Sequence, residues 1–204
     1  TVVDVHTAKK WRELNVAPSA AASDEAFLRR ASLDITGTLP TPAEVAAFLA
    51  DPDPAKRDKL VDRLVDAPGY ADLFANKWAD VLRVKRRGLP DRAAGTFAFH
   101  AWIKAAVAAD MPYDEFARAI VTAIGDEGRS PPTVWYKEVQ TPEQFADDVG
   151  QVFLGQRLAC AQCHHHPYEK WSQDDYWGVA AFFGRVGRKT VPVPGQVGGN
   201  RWDK

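Results

Sequence analysis

An all-α fold is predicted for this 204-residue chain by three observations. Apolar residues recur at the three-to-four-residue spacing of one helix face rather than alternating. Helix-start signatures repeat at Ser23-Asp24-Glu25, Thr41-Pro42-Ala43-Glu44 and Thr141-Pro142-Glu143-Gln144. The last two are capping boxes with proline at the first helical position. Strand signals are few, and the run Thr190-Val191-Pro192-Val193 is short and carries a proline that cannot donate to a ladder.

The elements follow in order. Residues 1–22 read as an N-terminal segment, 23–187 as a single helical domain and 188–204 as a linker-like tail. The first helix starts at Ser23, with Phe27, Leu28, Ala31 and Leu33 on one face, and Gly37 to Pro40 ends it. The capping box at Thr41 opens a helix to about Ala50. Asp53-Pro54 opens another, with Leu60, Val61, Leu64 and Val65 as its apolar stripe. Pro68-Gly69 should break it, and Tyr70 to Val84 should continue as a helix. Helices are then expected over Phe97–Ala109 and Tyr113–Ile124, with Gly125 to Pro132 as a loop. Thr141 starts a helix through Phe153, and Asp174 to Phe183 closes the domain.

Composition bounds the function. Hydrophobic residues make up 46% and charged residues 26%, the balance of a globular protein. A net charge of −1 argues against a binder that works by neutralising nucleic-acid phosphates. No apolar run reaches the length that crosses a bilayer. Seven Trp and ten Phe would fill a core, or wall a large flat cofactor. Thr1 in place of an initiator Met, and the linker-like Gly195 to Gly199, read as an excised piece of a longer protein.

The chain has two cysteines, and both lie in Leu158-Ala159-Cys160-Ala161-Gln162-Cys163-His164-His165-His166-Pro167. Cysteines this close make a poor staple because they close almost no loop. Cys-x-x-Cys-His is the attachment pattern of a c-type haem. Two thiols on one helical turn can form thioethers with the two vinyl groups on one porphyrin edge. The next residue, His164, then offers Nε2 to the iron. One covalently attached haem c is the cofactor expected here. A zinc site from Cys160, Cys163, His164 and His166 is the first rival, but it would crowd four tetrahedral ligands into seven residues with two of them adjacent. A thiol–disulfide motif is the second, and it wants a βαβ setting that is absent here.

His166 reads either as a helix-end imidazole or as a partner that bonds a haem propionate or orients His164. His165 reads as the former. For the sixth iron position the candidates are Met111, whose commoner fate is a gap-filling core thioether, and His100, whose commoner fate is a satisfied helix histidine. His6 is a weaker candidate, and an open position is a further alternative. The run Arg83-Val84-Lys85-Arg86-Arg87 reads as a solvated helix end favoured by the dipole, or else as a docking patch for an acidic redox partner.

Several segments together resemble a known family. Phe27-Leu28-Arg29-Arg30-Ala31-Ser32-Leu33-Asp34-Ile35-Thr36-Gly37-Thr38-Leu39-Pro40-Thr41, Asn76-Lys77-Trp78-Ala79-Asp80, Met111-Pro112-Tyr113-Asp114-Glu115-Phe116 and Val152-Phe153-Leu154-Gly155 occur in order, before the cysteine segment and Trp171-Ser172-Gln173-Asp174-Asp175-Tyr176. They resemble the cytochrome c-like domain of unknown function in large secreted planctomycete surface proteins, over about residues 20 to 185. The resemblance implies an extracytoplasmic, multi-domain setting, often with a second cytochrome domain in the same polypeptide. His164 and His166 match the family pattern, and His165 sits in its variable slot. Met111 lies at a variable position, and His100 matches no family histidine.

The expectation is therefore an all-α single domain wrapped around one haem c, a monohaem module that transfers electrons within a larger extracytoplasmic protein. Its partner would be a redox protein or a neighbouring cytochrome domain, with no nucleic acid and no membrane span in this fragment. The alternatives are a haem enzyme or gas-binding module with an open distal site, and a zinc-binding structural domain. Catalysis itself is left open.

Overall fold

Local capping chemistry sets where the helices begin. Thr41 Oγ1 accepts from the Glu44 N–H at 3.3 Å while the Glu44 carboxylate accepts from the Thr41 N–H at 2.7 Å. Thr141 and Gln144, and Ser172 and Asp175, repeat this reciprocal box. The computed structural model describes residues 1–84, 95–187, 189–192 and 200–203, which fall into two compact units, 1–66 and 67–204.

The first unit contains α1 (Val2–Glu13), α2 (Asp24–Thr36), α3 (Pro42–Ala50) and α4 (Lys56–Val65). Leu28, Phe48 and Leu60 bury one another at its centre, from α2, α3 and α4 respectively. Asp24, in the first turn of α2, accepts from Arg57 at 2.7 Å and pairs with Lys56 at 2.7 Å. Those hydrogen bonds, Lys56 first, hold the Asp24 carboxyl below its ordinary value. The segment before Ser23 is more ordered than its sequence suggests. Thr1 and Asp4 form a capping box, and α1 follows with no buried residue.

The second unit contains α5 (Pro68–Val81), α6 (Thr96–Ala108), α7 (Tyr113–Val121), a 3₁₀ turn at Pro131–Val134, α8 (Trp135–Glu138), α9 (Pro142–Asp148) and α10 (Gln173–Ala181). Helices α5 and α6 pack together, and α6 lies on the 3₁₀ turn. The core is aromatic: Phe99, Trp135 and Phe145 are at most 1% exposed. Rings meet rings, with Phe145 and Phe183 stacked at 4.9 Å, and Trp102 and Phe116 at 5.3 Å. Gly95, in the left-handed region at φ 78°, starts α6 where a Cβ would meet Val134 at 2.8 Å.

The helical elements expected over 23–187 are distributed over both units. Two expectations are corrected. Pro68-Gly69 does not precede its helix but forms its first turn, where the missing proline N–H costs nothing. The linker-like tail carries strands β1 (Lys189–Pro192) and β2 (Asn200–Asp203), paired antiparallel with Thr190 opposite Trp202. Proline stands at the last position of β1, where the ladder tolerates it. The aromatic residues of the second unit pack on one another in its core.

Candidate functional site

Helix α9 does not end at Asp148; it widens into a π turn at Val149–Phe153. Gly155, at φ 62°, stops that turn. The Gln156 N–H then reaches back to the Gly150 carbonyl at 2.8 Å. Gly150 has no room for a side chain, since a Cβ there would meet Leu158 at 2.9 Å and the Gln156 carbonyl at 3.1 Å. This close approach seats Leu158 in a small cluster with Ala146, Ala161, Tyr176 and Ala180.

Leu158 and Ala161 are the inward anchors of the cysteine segment, at 3% and 0% exposure. Between and beside them, Ala159–Gln162 form a 3₁₀ turn that carries Cys160, with Cys163 as its cap. In such a turn residues three apart eclipse one another, so the two cysteines share one side. Both are free thiols; Cys160 is half-buried and Cys163 exposed. The expected helical turn is thus a tighter 3₁₀ one.

His164 is exposed, and its Nδ1 lies 2.7 Å from the His165 carbonyl oxygen. A carbonyl only accepts, so Nδ1 carries the proton and the lone pair of the neutral ring is on Nε2. This is the tautomer and the orienting bond that metal-ligating histidines use. His165 and His166 have the opposite arrangement, with Nδ1 accepting from backbone N–H groups. Two amides brace the segment: Gln173 Nε2 donates to the Gln162 carbonyl at 3.0 Å, and Trp171 Nε1 donates to Gln156 at 3.2 Å.

Behind the turn, the Tyr176 hydroxyl donates to the Glu143 carbonyl at 3.3 Å. Burial first, and then the nearby Asp147, push its pKa up to about 12. Burial also raises the Asp147 carboxyl, one oxygen of which is buried without a hydrogen-bond partner among the described residues. Sequence reasoning passed over Asp148. Its carboxylate accepts from Trp135 Nε1 at 2.9 Å and pairs with Arg83 at 2.5 Å, tying the start of the π turn to the end of α5. Nothing local in the sequence marks it, since it stands directly beside a second carboxylate, Asp147.

The remaining candidates stand elsewhere. Met111 packs against the aromatic cluster of the core. His100, on α6, bonds Asn76 Oδ1 through Nε2 at 2.9 Å. His6 is exposed on α1. Of the basic run, Arg83 is the partner of Asp148, while Lys85, Arg86 and Arg87 lie outside the described residues. The local chemistry at the cysteine turn fits thioether attachment and ligation through His164 Nε2. It fits a four-ligand zinc site poorly. Among the described residues no three His, Cys, Asp or Glu side chains gather closely enough to hold a metal ion, and both Nδ1 atoms of His165 and His166 are engaged.

No curated protein and no solved structure matches the chain. The family model that does match is PSCyt2, described as a protein of unknown function (DUF1549), and it covers residues 2–188. With every described helix inside that match, the chain belongs to this family of unknown function.

Proposed function

We propose that the chain is a redox module that carries one haem c at the cysteine turn. The observation that carries this reading is the conjunction of two free thiols, one on a 3₁₀ turn and one at its cap, with a neighbouring imidazole whose Nδ1 is bonded to a carbonyl. Cys160 and Cys163 would hold the porphyrin by thioethers, and His164 would hold the iron through Nε2. When bound, the haem supplies a one-electron Fe(III)/Fe(II) couple. The chain's own part is positional. Leu158 and Ala161 pin the turn, the His165 carbonyl orients His164, and the Gln162–Gln173 bond fixes the next segment.

Exposure of Cys163 and His164 supports electron transfer to a partner, because a group attached there lies at the surface. A redox protein or a second cytochrome domain of the same polypeptide, outside the cytoplasm, is the partner that suits this arrangement. A second reading is favoured by one further observation: Met111, partly buried, packs against the aromatic core and His100 Nε2 is bonded to Asn76. Neither is committed to an iron, so the haem would keep an open or labile distal side that takes small gases.

The chain produced with c-type haem maturation should give a reduced α-band that survives denaturation, as a covalent haem does. Cys160→Ala with Cys163→Ala should abolish it. An unmodified chain from cells that load other c-type cytochromes would end the proposal. Carbon monoxide added to the reduced protein separates the two readings, since a rapid spectral change reports an accessible sixth position.

A further inference from the structure

Three consecutive imidazoles are held in two opposite proton arrangements. His164 faces a carbonyl, so it carries its proton on Nδ1. His166 Nδ1 accepts from the N–H of Tyr168 at 3.2 Å and of Glu169 at 2.9 Å. His165 Nδ1 accepts from the Gln173 N–H at 3.2 Å. A backbone N–H has no lone pair to offer, so these two ring nitrogens keep theirs, and each neutral ring carries its proton on Nε2. Both rings are therefore donors at the nitrogen left over, and donors recognise anions.

The two differ in exposure. His165 is exposed to solvent. Among the described residues the His166 ring has hydrogen bonds only at Nδ1. Its ring is half-buried, and its backbone is pinned because the His166 N–H donates to the Trp171 carbonyl at 2.8 Å. The result is an N–H donor two residues from the candidate iron ligand, held through its Nδ1 and its backbone.

Resting on the haem reading above, we propose that His166 is a carboxylate-binding residue whose Nε2–H takes a propionate of the porphyrin attached at Cys160 and Cys163. It is a positioning residue: it sets the tilt of the ring plane and offsets propionate charge near the iron. The competing account is that the His166 ring only nucleates the loop to Trp171, in the way an Asx turn accepts two following N–H groups. Asparagine reproduces that acceptor but not the Nε2–H.

The test compares the haem-loaded wild-type chain with His166→Asn. The proposal expects His166→Asn to keep the covalent haem and the thermal midpoint, while the propionate bending band in resonance Raman shifts and the midpoint potential falls. An unchanged band and potential would overturn it and leave the haem reading intact. A wild-type chain that takes no haem under maturation sinks both. Nitrogen NMR of the wild-type imidazoles gives a readout that needs no variant: His166 should show the Nε2–H tautomer and His164 the Nδ1–H tautomer. A proton on Nδ1 of His166 would overturn the proposal by itself.

Discussion

Gly150 is the residue on which the site's local shape depends most directly. Leu158 fills the space its missing side chain leaves, at 2.9 Å from where a Cβ would stand. Gly150→Ala forces Leu158 or the π turn to shift, an overpacking that costs about 1–3 kcal/mol. Thermal unfolding should report it as a lowered midpoint. Asp148 is the second such residue, 8% exposed and bonded on both oxygens. Asp148→Asn leaves the indole bond replaceable but removes the charge that faces Arg83. Because Arg83 is partly exposed, the loss should be about 1–3 kcal/mol rather than that of a fully buried pair, read from a denaturant midpoint. The sequence made the cysteines and His164 legible because their spacing is itself the chemistry. It left Asp148 illegible, because the meaning of that carboxylate depends on Arg83 and Trp135, which are brought to it only by folding.

Among the elements, those with local stop and start signals were legible, and those set by packing were not. The helices at Thr41 and Thr141 were anticipated because a capping box is written within four residues. The π turn and the 3₁₀ turn of Cys160 were not, since both result from how Leu158 seats against Gly150. Removing the cap by Thr141→Ala should cost about 1 kcal/mol and lower the denaturant midpoint. In the first unit, the α2–α4 tie predicts a pH effect. The Asp24 carboxyl is held low in the folded chain by Lys56 and Arg57. Its contribution to stability is therefore present above the unfolded-state value of about 4 and is lost as pH falls through the folded one. Asp24→Asn should flatten the acid limb of helix loss below about pH 4, as followed by far-UV circular dichroism.

On the scale of the whole molecule, the helical class was legible, but its division was not. Periodicity along a chain says which face of a helix is apolar, not which other helix covers it. The two units have separate clusters, Leu28–Phe48–Leu60 in one and the aromatic core in the other. A chain that begins at Ala67 should therefore keep a cooperative thermal transition, as measured by calorimetry, and loss of that transition would show the second unit to be incomplete. Phe99, Trp135 and Phe145 close on one another in the core of the second unit, while the cysteine turn is seated on a smaller cluster.

That turn is also continuous in sequence, and this has a practical consequence for chemistry at the bench. Arg157 and Lys170 bracket it, with no other Lys or Arg between them. Tryptic digestion therefore releases one short peptide, Leu158 to Lys170, that holds both sulfurs and all three neighbouring imidazoles. Its mass alone distinguishes a bare peptide, an oxidised one and a porphyrin adduct, and the adduct would be a soluble minimal peroxidase-like reagent detached from the rest of the polypeptide.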